Sequence, residues 1–192
     1  VVLEGQGTVI IDVGPAESLT IRADDNLLAH LTSDVEGSTL VLGTDRQLNP
    51  TVPIVFTITM PSLRSLEIAG SGNIETSAVE GDALELSVSG SGNIRVSSAA
   101  TSSVAAGISG SGNVSIAGTT NGLAVEIAGS GNFLGFDLES GLADVTISGS
   151  GNAAVNVTET LTGGISGSGS IEYLGSPDVD VSIEGSGRLS QR

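Results

Sequence analysis

The sequence predicts an all-β chain wound as a single-stranded parallel β-helix (β-solenoid), right-handed, with about 18–20 residues per turn and an N-terminal β region capping or starting the coil. Two observations carry this. The phrase Gly-Ser-Gly-Asn returns at Gly70 to Asn73, Gly90 to Asn93, Gly110 to Asn113, Gly129 to Asn132 and Gly149 to Asn152. Altered copies follow at Gly167 to Ser170 and Gly185 to Arg188, so the first glycines lie 20, 20, 19, 20, 18 and 18 residues apart. Around each copy apolar residues alternate with polar ones, which is the period of a strand with one buried face. One such turn buries its inner face only when neighbours stack on it, so the unit has to repeat. No segment places apolar residues at i, i+3, i+4 and i+7 over the length a helix needs, which excludes helical repeats. The hand follows from the strong bias of parallel crossovers, and the hexapeptide pattern of left-handed β-helices is not visible.

Residues 1–62 form a first region that reads as lacking the phrase. Its strand signals are Thr8 to Val13, Ser18 to Ala23, Leu27 to Leu31, Ser38 to Leu42 and Pro53 to Met60. Gly14-Pro15, Asp24-Asp25-Asn26 and Glu36-Gly37 are the turn formers between them. These strands suit either irregular first turns or a cap. The cap is favoured, because an open coil end is an unpaired edge that recruits other chains. Residues 63–192 are repeats with short connectors. Val79 to Asp82, Gly118 to Gly122 and Leu174 to Pro177 read as returns between the second strand of one turn and the first of the next. At the usual strand spacing the repeats make a rod of roughly 30 to 35 Å.

Within one turn, Leu84, Leu86 and Val88 alternate with Glu85, Ser87 and Ser89, and beyond the phrase Ile94 and Val96 alternate with Arg95 and Ser97. The apolar set keeps one parity, which places Gly90 and Gly92 inside and Ser91 and Asn93 outside. Glycine weakens a strand interior, so its return implies a corner with no room for a side chain or a backbone that needs positive φ. Stacked Asn and Ser then have the spacing to form hydrogen-bonded ladders. The residues expected to hold the repeat are therefore Gly70, Asn73, Gly90, Asn93, Gly110, Asn113, Gly129, Asn132, Gly149 and Asn152. A phosphate or metal loop is the weaker reading. No helix follows any copy, and neutral amides are poor sole ligands for a hard dication. No cofactor, metal ion or catalytic residue is expected.

The chain has 192 residues, enough for one domain or a domain with a small partner. With 22 acidic against 6 basic residues its formal charge is −16, which repels nucleic acid and anionic lipid surfaces. The absence of cysteine excludes a disulfide scaffold and thiolate chemistry. No apolar run approaches the roughly eighteen residues that would span a bilayer, so direct membrane insertion is not expected. The chain opens at Val1 without a Met or a basic and apolar leader, and so reads as processed or truncated, any signal peptide or anchor having been removed.

The charged residues of the repeats, among them Glu67, Glu75, Glu85, Arg95, Glu126 and Asp144, take the outward parity. Glu67 and Glu126 share one position and Glu85 and Asp144 another, but three turns apart, so no continuous carboxylate row forms. Glu75 and Arg95 share a position in successive turns, where opposite charges are favourable neighbours. A polysaccharide-active enzyme is an alternative that the architecture suggests. It lacks support from side chains: aromatic platforms are scarce, and His30, the only histidine, reads as a half-buried strand residue. Phe133 and Phe136 break the pattern after Asn132, and with Tyr173 they are the candidate contact residues, Phe133 facing in and Phe136 out by parity.

The run TITMPSLRS from Thr57 to Ser65, then LEIAGSGNIE from Leu66 to Glu75, and the echoes LSVSGSGNIRV and VTISGSGNAAV resemble the bacterial head GIN domain family of putative autotransporter adhesins. The N-terminal stretch TVIIDVGPAESLTIRADDNLLAHLTSDVEGSTLVL shares in this resemblance, which extends over nearly the whole chain. It implies a β-helix from a bacterial envelope and carries no catalytic or ligand residues. The function expected is a non-catalytic extracytoplasmic binding or adhesion module, periplasmic, outer-membrane associated or secreted, with a surface glycan or a protein as partner. A structural or self-assembling envelope module is the further alternative, with homo-oligomerisation through the C-terminal turn, where Arg188 and Arg192 either blunt the edge or meet the acidic face of a second copy.

Overall fold

A computed structural model describes the whole chain, Val1 to Arg192. Its strands are β1 (Val2–Leu3), β2 (Thr8–Val13), β3 (Ser18–Arg22), β4 (Leu31–Glu36), β5 (Thr39–Thr44), β6 (Val55–Met60), β7 (Ser65–Ile68) and β8 (Asn73–Thr76). They continue as β9 (Val79–Val88), β10 (Asn93–Ile108), β11 (Asn113–Ile127), β12 (Asn132–Gly149), β13 (Asn152–Gly167), β14 (Ser170–Leu174), β15 (Asp178–Gly185) and β16 (Arg188–Gln191). From β7 onward every pairing is parallel, and partners lie one phrase apart: Asn93 pairs with Asn73 on one side and Asn113 on the other. This is a parallel β-solenoid.

The alternation of apolar residues becomes stacked columns. Leu3, Ile68, Val88, Ile108, Ile127, Ile147 and Ile165 lie one above another, each almost completely buried. A second column runs through Val9, Ile74, Ile94, Val114, Phe133, Ala153 and Ile171. There the bulk of Phe133 is offset by Ala153 in the next rung. It is also offset by Gly135, since a Cβ at Gly135 would fall on the Phe133 ring. Equal layer thickness requires such exchanges of volume between neighbours. One buried group is left without a partner, the Thr76 hydroxyl, which occupies the inward position held by Ile11 and Val96 in the adjoining rungs.

The phrase forms a corner that is hydrogen-bonded rung to rung. The Gly90 carbonyl accepts the N–H groups of Ser111 and Gly112 at 3.0 and 3.1 Å, and the Gly92 carbonyl accepts that of Asn113 at 3.1 Å. Proximity, not dihedral angle, is what demands glycine at the earlier copies. A Cβ on Gly90 or Gly92 would meet the carbonyl oxygen of Gly70 or Gly72 far inside 3.0 Å. At Gly149 and Gly167 positive φ, 150° and 138°, adds to the requirement.

The expected returns are paired backbone. Val79 to Gly81 pairs with Ala99 to Thr101, which pairs in turn with Gly118 to Thr120. Extended chain with free N–H and C=O groups joins the ladder when an identical segment lies a rung away. Only the stretch after Leu174 stays outside the strands.

The first region holds the largest departures. β1 lies between β5 and β7, and β2 between β6 and β8, all parallel. Gly5-Gln6-Gly7-Thr8 is therefore a first copy of the phrase, contrary to the reading that residues 1–62 lack it. Ser71 N–H donates to the Gly5 carbonyl at 2.8 Å, and Asn73 N–H to that of Gly7 at 2.8 Å. The chain lays this rung, leaves it, and returns through β5 and β6 on its outer side. β3 then covers β6 and β4 covers β5, both antiparallel.

The strand expected at Leu27 to Leu31 is instead a 3-10 turn, Leu28–His30, with Leu31 opening β4. Leu27 N–H bonds the Asp24 carbonyl at 2.9 Å, so the Asp24-Asp25-Asn26 turn former extends its curl through these apolar residues. The Asp24 carboxylate ties the cap together, accepting the Thr51 hydroxyl at 2.8 Å and the N–H groups of Thr51 and Val52 at 2.7 and 3.2 Å. These bonds, led by the Thr51 hydroxyl, hold its carboxyl below the usual aspartate range.

Gly92→Ala should destabilise by about 3 kcal/mol or more in urea unfolding, since backbone sits where the methyl would go. Gly107→Ala, with nothing within 4 Å of its Cβ, should be neutral or gain up to about 1 kcal/mol. Because the Asp24 carboxyl titrates lower in the folded chain than in the unfolded one, its contribution is present above the unfolded value, about pH 4, and fades as pH falls through the folded value. The protection factors of the Thr51 and Val52 amides, each rate being taken relative to intrinsic exchange at the same pH, should therefore fall on acidification before the coil melts, and Asp24→Asn should remove that pH dependence.

Candidate functional site

The corners align the asparagines that follow them. Asn93 Nδ2 donates to Asn73 Oδ1 at 2.8 Å, Asn113 to Asn93 at 2.8 Å, Asn132 to Asn113 at 2.8 Å and Asn152 to Asn132 at 2.9 Å. Ser170 Oγ closes the row on Asn152 Oδ1 at 2.6 Å. Every bond points the same way, the later residue donating to the earlier. An amide has two N–H donors and two lone pairs. Each internal Asn spends one of each in the ladder and leaves the other donor and lone pair without a partner in the chain. Bonds arranged head to tail polarise one another, so the row strengthens the groups it presents.

A second outward row runs beside the first: Glu75, Arg95, Ser115, Leu134, Ala154 and Glu172. With Asn73, Asn93 and Asn113, its first four members line a shallow open groove. Arg95 is the only cation between Arg64 and Arg188, and it makes no ion pair although Glu75 is its neighbour in register. Leu134 is 51% exposed and gives the groove an apolar patch. It faces out by the same alternation that turns Phe133 in.

Across the Gly-Ser-Gly corner lies a second shallow groove with a floor of Ala105, Gly107 and Ala124 and a rim of Glu85, Glu126 and Asp144. Glu85 and Asp144 stand in one row with Ala105 and Ala124 between them, three strand spacings or roughly 14 Å apart. Asp144 accepts the Thr162 hydroxyl at 2.9 Å. No three His, Asp or Glu side chains lie close enough to share a metal ion.

The aromatic residues do not make one patch. Phe133 is completely buried, so it is a core residue and can touch no partner. Phe136 is half-buried, and the Arg192 guanidinium lies over its ring, 5.1 Å from the centroid. Tyr173, also half-buried, packs against the core, and its carbonyl accepts the Arg192 N–H at 2.9 Å. Arg192 thus links Phe136 and Tyr173. His30 sits at the end of the 3-10 turn in the cap, its Nδ1 3.2 Å from Asp45 Oδ2, and this contact is the main influence holding the Asp45 carboxyl low.

A family model described as "Putative auto-transporter adhesin, head GIN domain" matches residues 1–177. Among solved structures, a putative adhesin from Bacteroides fragilis superposes with a TM-score of 0.92 at 25% identity, covering 100% of this chain and 91% of that one. A putative lipid binding protein from Parabacteroides distasonis gives 0.79 at 25% identity with the same coverage. A putative adhesin from Parabacteroides merdae gives 0.77 at 20% identity, again covering 100% and 91%, a likeness of fold alone. No curated protein matches the chain.

The ladder has a direct test. Asn113→Asp keeps the acceptor but removes the donor, setting a carboxylate oxygen against Asn93 Oδ1. Near neutral pH this should destabilise by about 1–3 kcal/mol in thermal or urea unfolding. A protonated carboxyl can donate again, so the variant's carboxyl should titrate higher when folded and the deficit should shrink as pH falls towards 4. Unchanged stability at pH 7 would mean that the ladder contributes nothing.

Proposed function

Because the chain belongs to the head GIN domain family of auto-transporter adhesins, we propose that it is a non-catalytic binding module of the bacterial cell envelope, working outside the cytoplasm and meeting a surface glycan along its asparagine face. The observation that carries this reading is the unbroken row from Asn73 to Asn152, with a free donor and a free acceptor repeated at every rung. Sugar hydroxyls also donate and accept at once, so a linear glycan lying along the rod finds complementary groups at each step. Arg95 and Ser115 add further polar groups, and Leu134 offers an apolar surface for the C–H face of a ring. Rigid stacked repeats suit extended contacts of this kind. The charge of −16 argues against an anionic polymer as the partner.

The reading as a binder and not a hydrolase has support from the same surfaces. The one histidine is engaged with Asp45 in the cap, and the groove beside the asparagines offers a single carboxylate, Glu75. Glycoside hydrolysis typically uses a pair of carboxyl groups flanking the scissile bond.

The test is an array of bacterial and host glycans probed with the purified chain, in calcium and in chelator. Saturable binding that survives chelation is expected. Ser115→Tyr, which fills the groove, should abolish it, whereas Ala105→Tyr in the groove across the corner should leave it intact. Silence across the array would overturn the glycan partner in favour of a protein one, and loss of an arrayed glycan by cleavage would overturn the non-catalytic reading.

A further inference from the structure

The two ends of the coil are closed differently. At the N-terminal end β3 and β4 lie antiparallel across β6 and β5, and Leu19, Ile21, Leu31 and Leu40 pack down onto the core. β3 and β4 have no further partner, and at the other end β15 and β16 likewise pair on one side only, with β13 and β14. Their inward side chains have nothing above them. Val179 and Ile183 are 40% and 43% exposed, whereas Leu161 and Ile165 directly beneath are 0% and 1% exposed. Two strand edges and a strip of apolar side chains therefore face the solvent together.

We propose that this end is the interface of a tail-to-tail dimer in which β16 of a second copy lies antiparallel along β15. A two-fold axis perpendicular to the coil axis, passing through the corner between β15 and β16, produces this arrangement. The interface is isologous, so the same pairing forms twice. Charge selects the partner. β15 carries Asp178, Asp180 and Glu184 and no cation, while Arg188 and Arg192 lie in and just after β16, with no acidic side chain between them. Asp180, Glu184 and Arg188 are exposed and make no ion pair in the single chain.

One antiparallel register satisfies both strands. With Ser182 opposite Ser190 of the second copy, Glu184 falls opposite Arg188, Asp180 opposite Arg192, and Ile183 meets Leu189 on the inner side. The side-chain period of two keeps all the charges on the outer face and the apolar pair on the inner one. Main-chain hydrogen bonds then continue the sheet across the junction. The Glu184–Arg188 pair is the cleaner half of the contact, because the Arg192 guanidinium already rests over Phe136. Stacking head to tail would instead lay the carboxylates of β15 against a cap strand holding Asp34 and Glu36, and would propagate as an open filament.

The experiment is sedimentation equilibrium of the whole chain over a wide concentration range, with Glu184→Arg, Arg188→Glu and the double exchange. The native chain should pass from monomer to twice the monomer mass and stop there. Each single reversal should weaken the dimer by about tenfold or more, and the double exchange should restore it, the signature of a close charge pair. Circular-dichroism melts at concentrations where every form is monomeric should be unchanged, since both side chains are exposed. A monomer at every concentration, mass that rises without limit, single reversals without effect, or a double exchange that fails to recover would each overturn the proposal.

Discussion

In a parallel stack the neighbour of each residue is its own copy one rung away, and the whole structure follows from what that neighbour leaves room for. The inward glycines express the constraint most sharply. The carbonyl of Gly70 occupies the place where a side chain on Gly90 would begin, and the same holds from Gly90 to Gly110 and from Gly110 to Gly129. The corner is held by hydrogen bonds to the carbonyls that exclude the side chain, so tightness and pairing are one condition. Volume in the core obeys the same rule, as the sequence of Val114, Phe133 and Ala153 in one column shows.

The asparagine row inherits its regularity from those corners. Side chains that repeat at the strand spacing are brought within hydrogen-bonding distance whether or not they serve a partner, and the ladder satisfies half of each amide while leaving the other half without a partner in the chain. A feature that stabilises the coil thus also patterns its surface. Across the corner the rows lack this uniformity: Glu85, Ala105, Ala124 and Asp144 share a position but not a chemistry.

The repeat region was legible in the sequence because every relevant contact there recurs at a nearly fixed separation. Period, parity, inward glycines and outward asparagines are all local patterns, and each is where parity puts it. The first region was less legible, for physical reasons. Gly5-Gln6-Gly7-Thr8 shows only a glycine on either side of one residue, and its partner Gly70 lies beyond two capping strands, so no fixed spacing announces it. Leu27 to Leu31 has the composition of a strand, yet the curl begun at Asp24 decides its shape. Phe133 and Phe136 stand out equally in the sequence. Only the three-dimensional column shows that the first is filler and the second surface.

The position of β1 and β2 between rungs that come later in the chain bears on how the molecule reaches this shape. A solenoid can zip from one end, each new turn docking on a finished one. Here the opening rung has no finished neighbour when it emerges, since β5 to β8 must all be made before both of its sides are covered. A chain delivered N-terminus first must keep these residues waiting, and the long-range closure delays them further. The repeats that follow need only their immediate predecessors. The order of assembly is therefore not the order of synthesis: β1 and β2 precede β5 to β8 in the chain but cannot be covered on both sides before them.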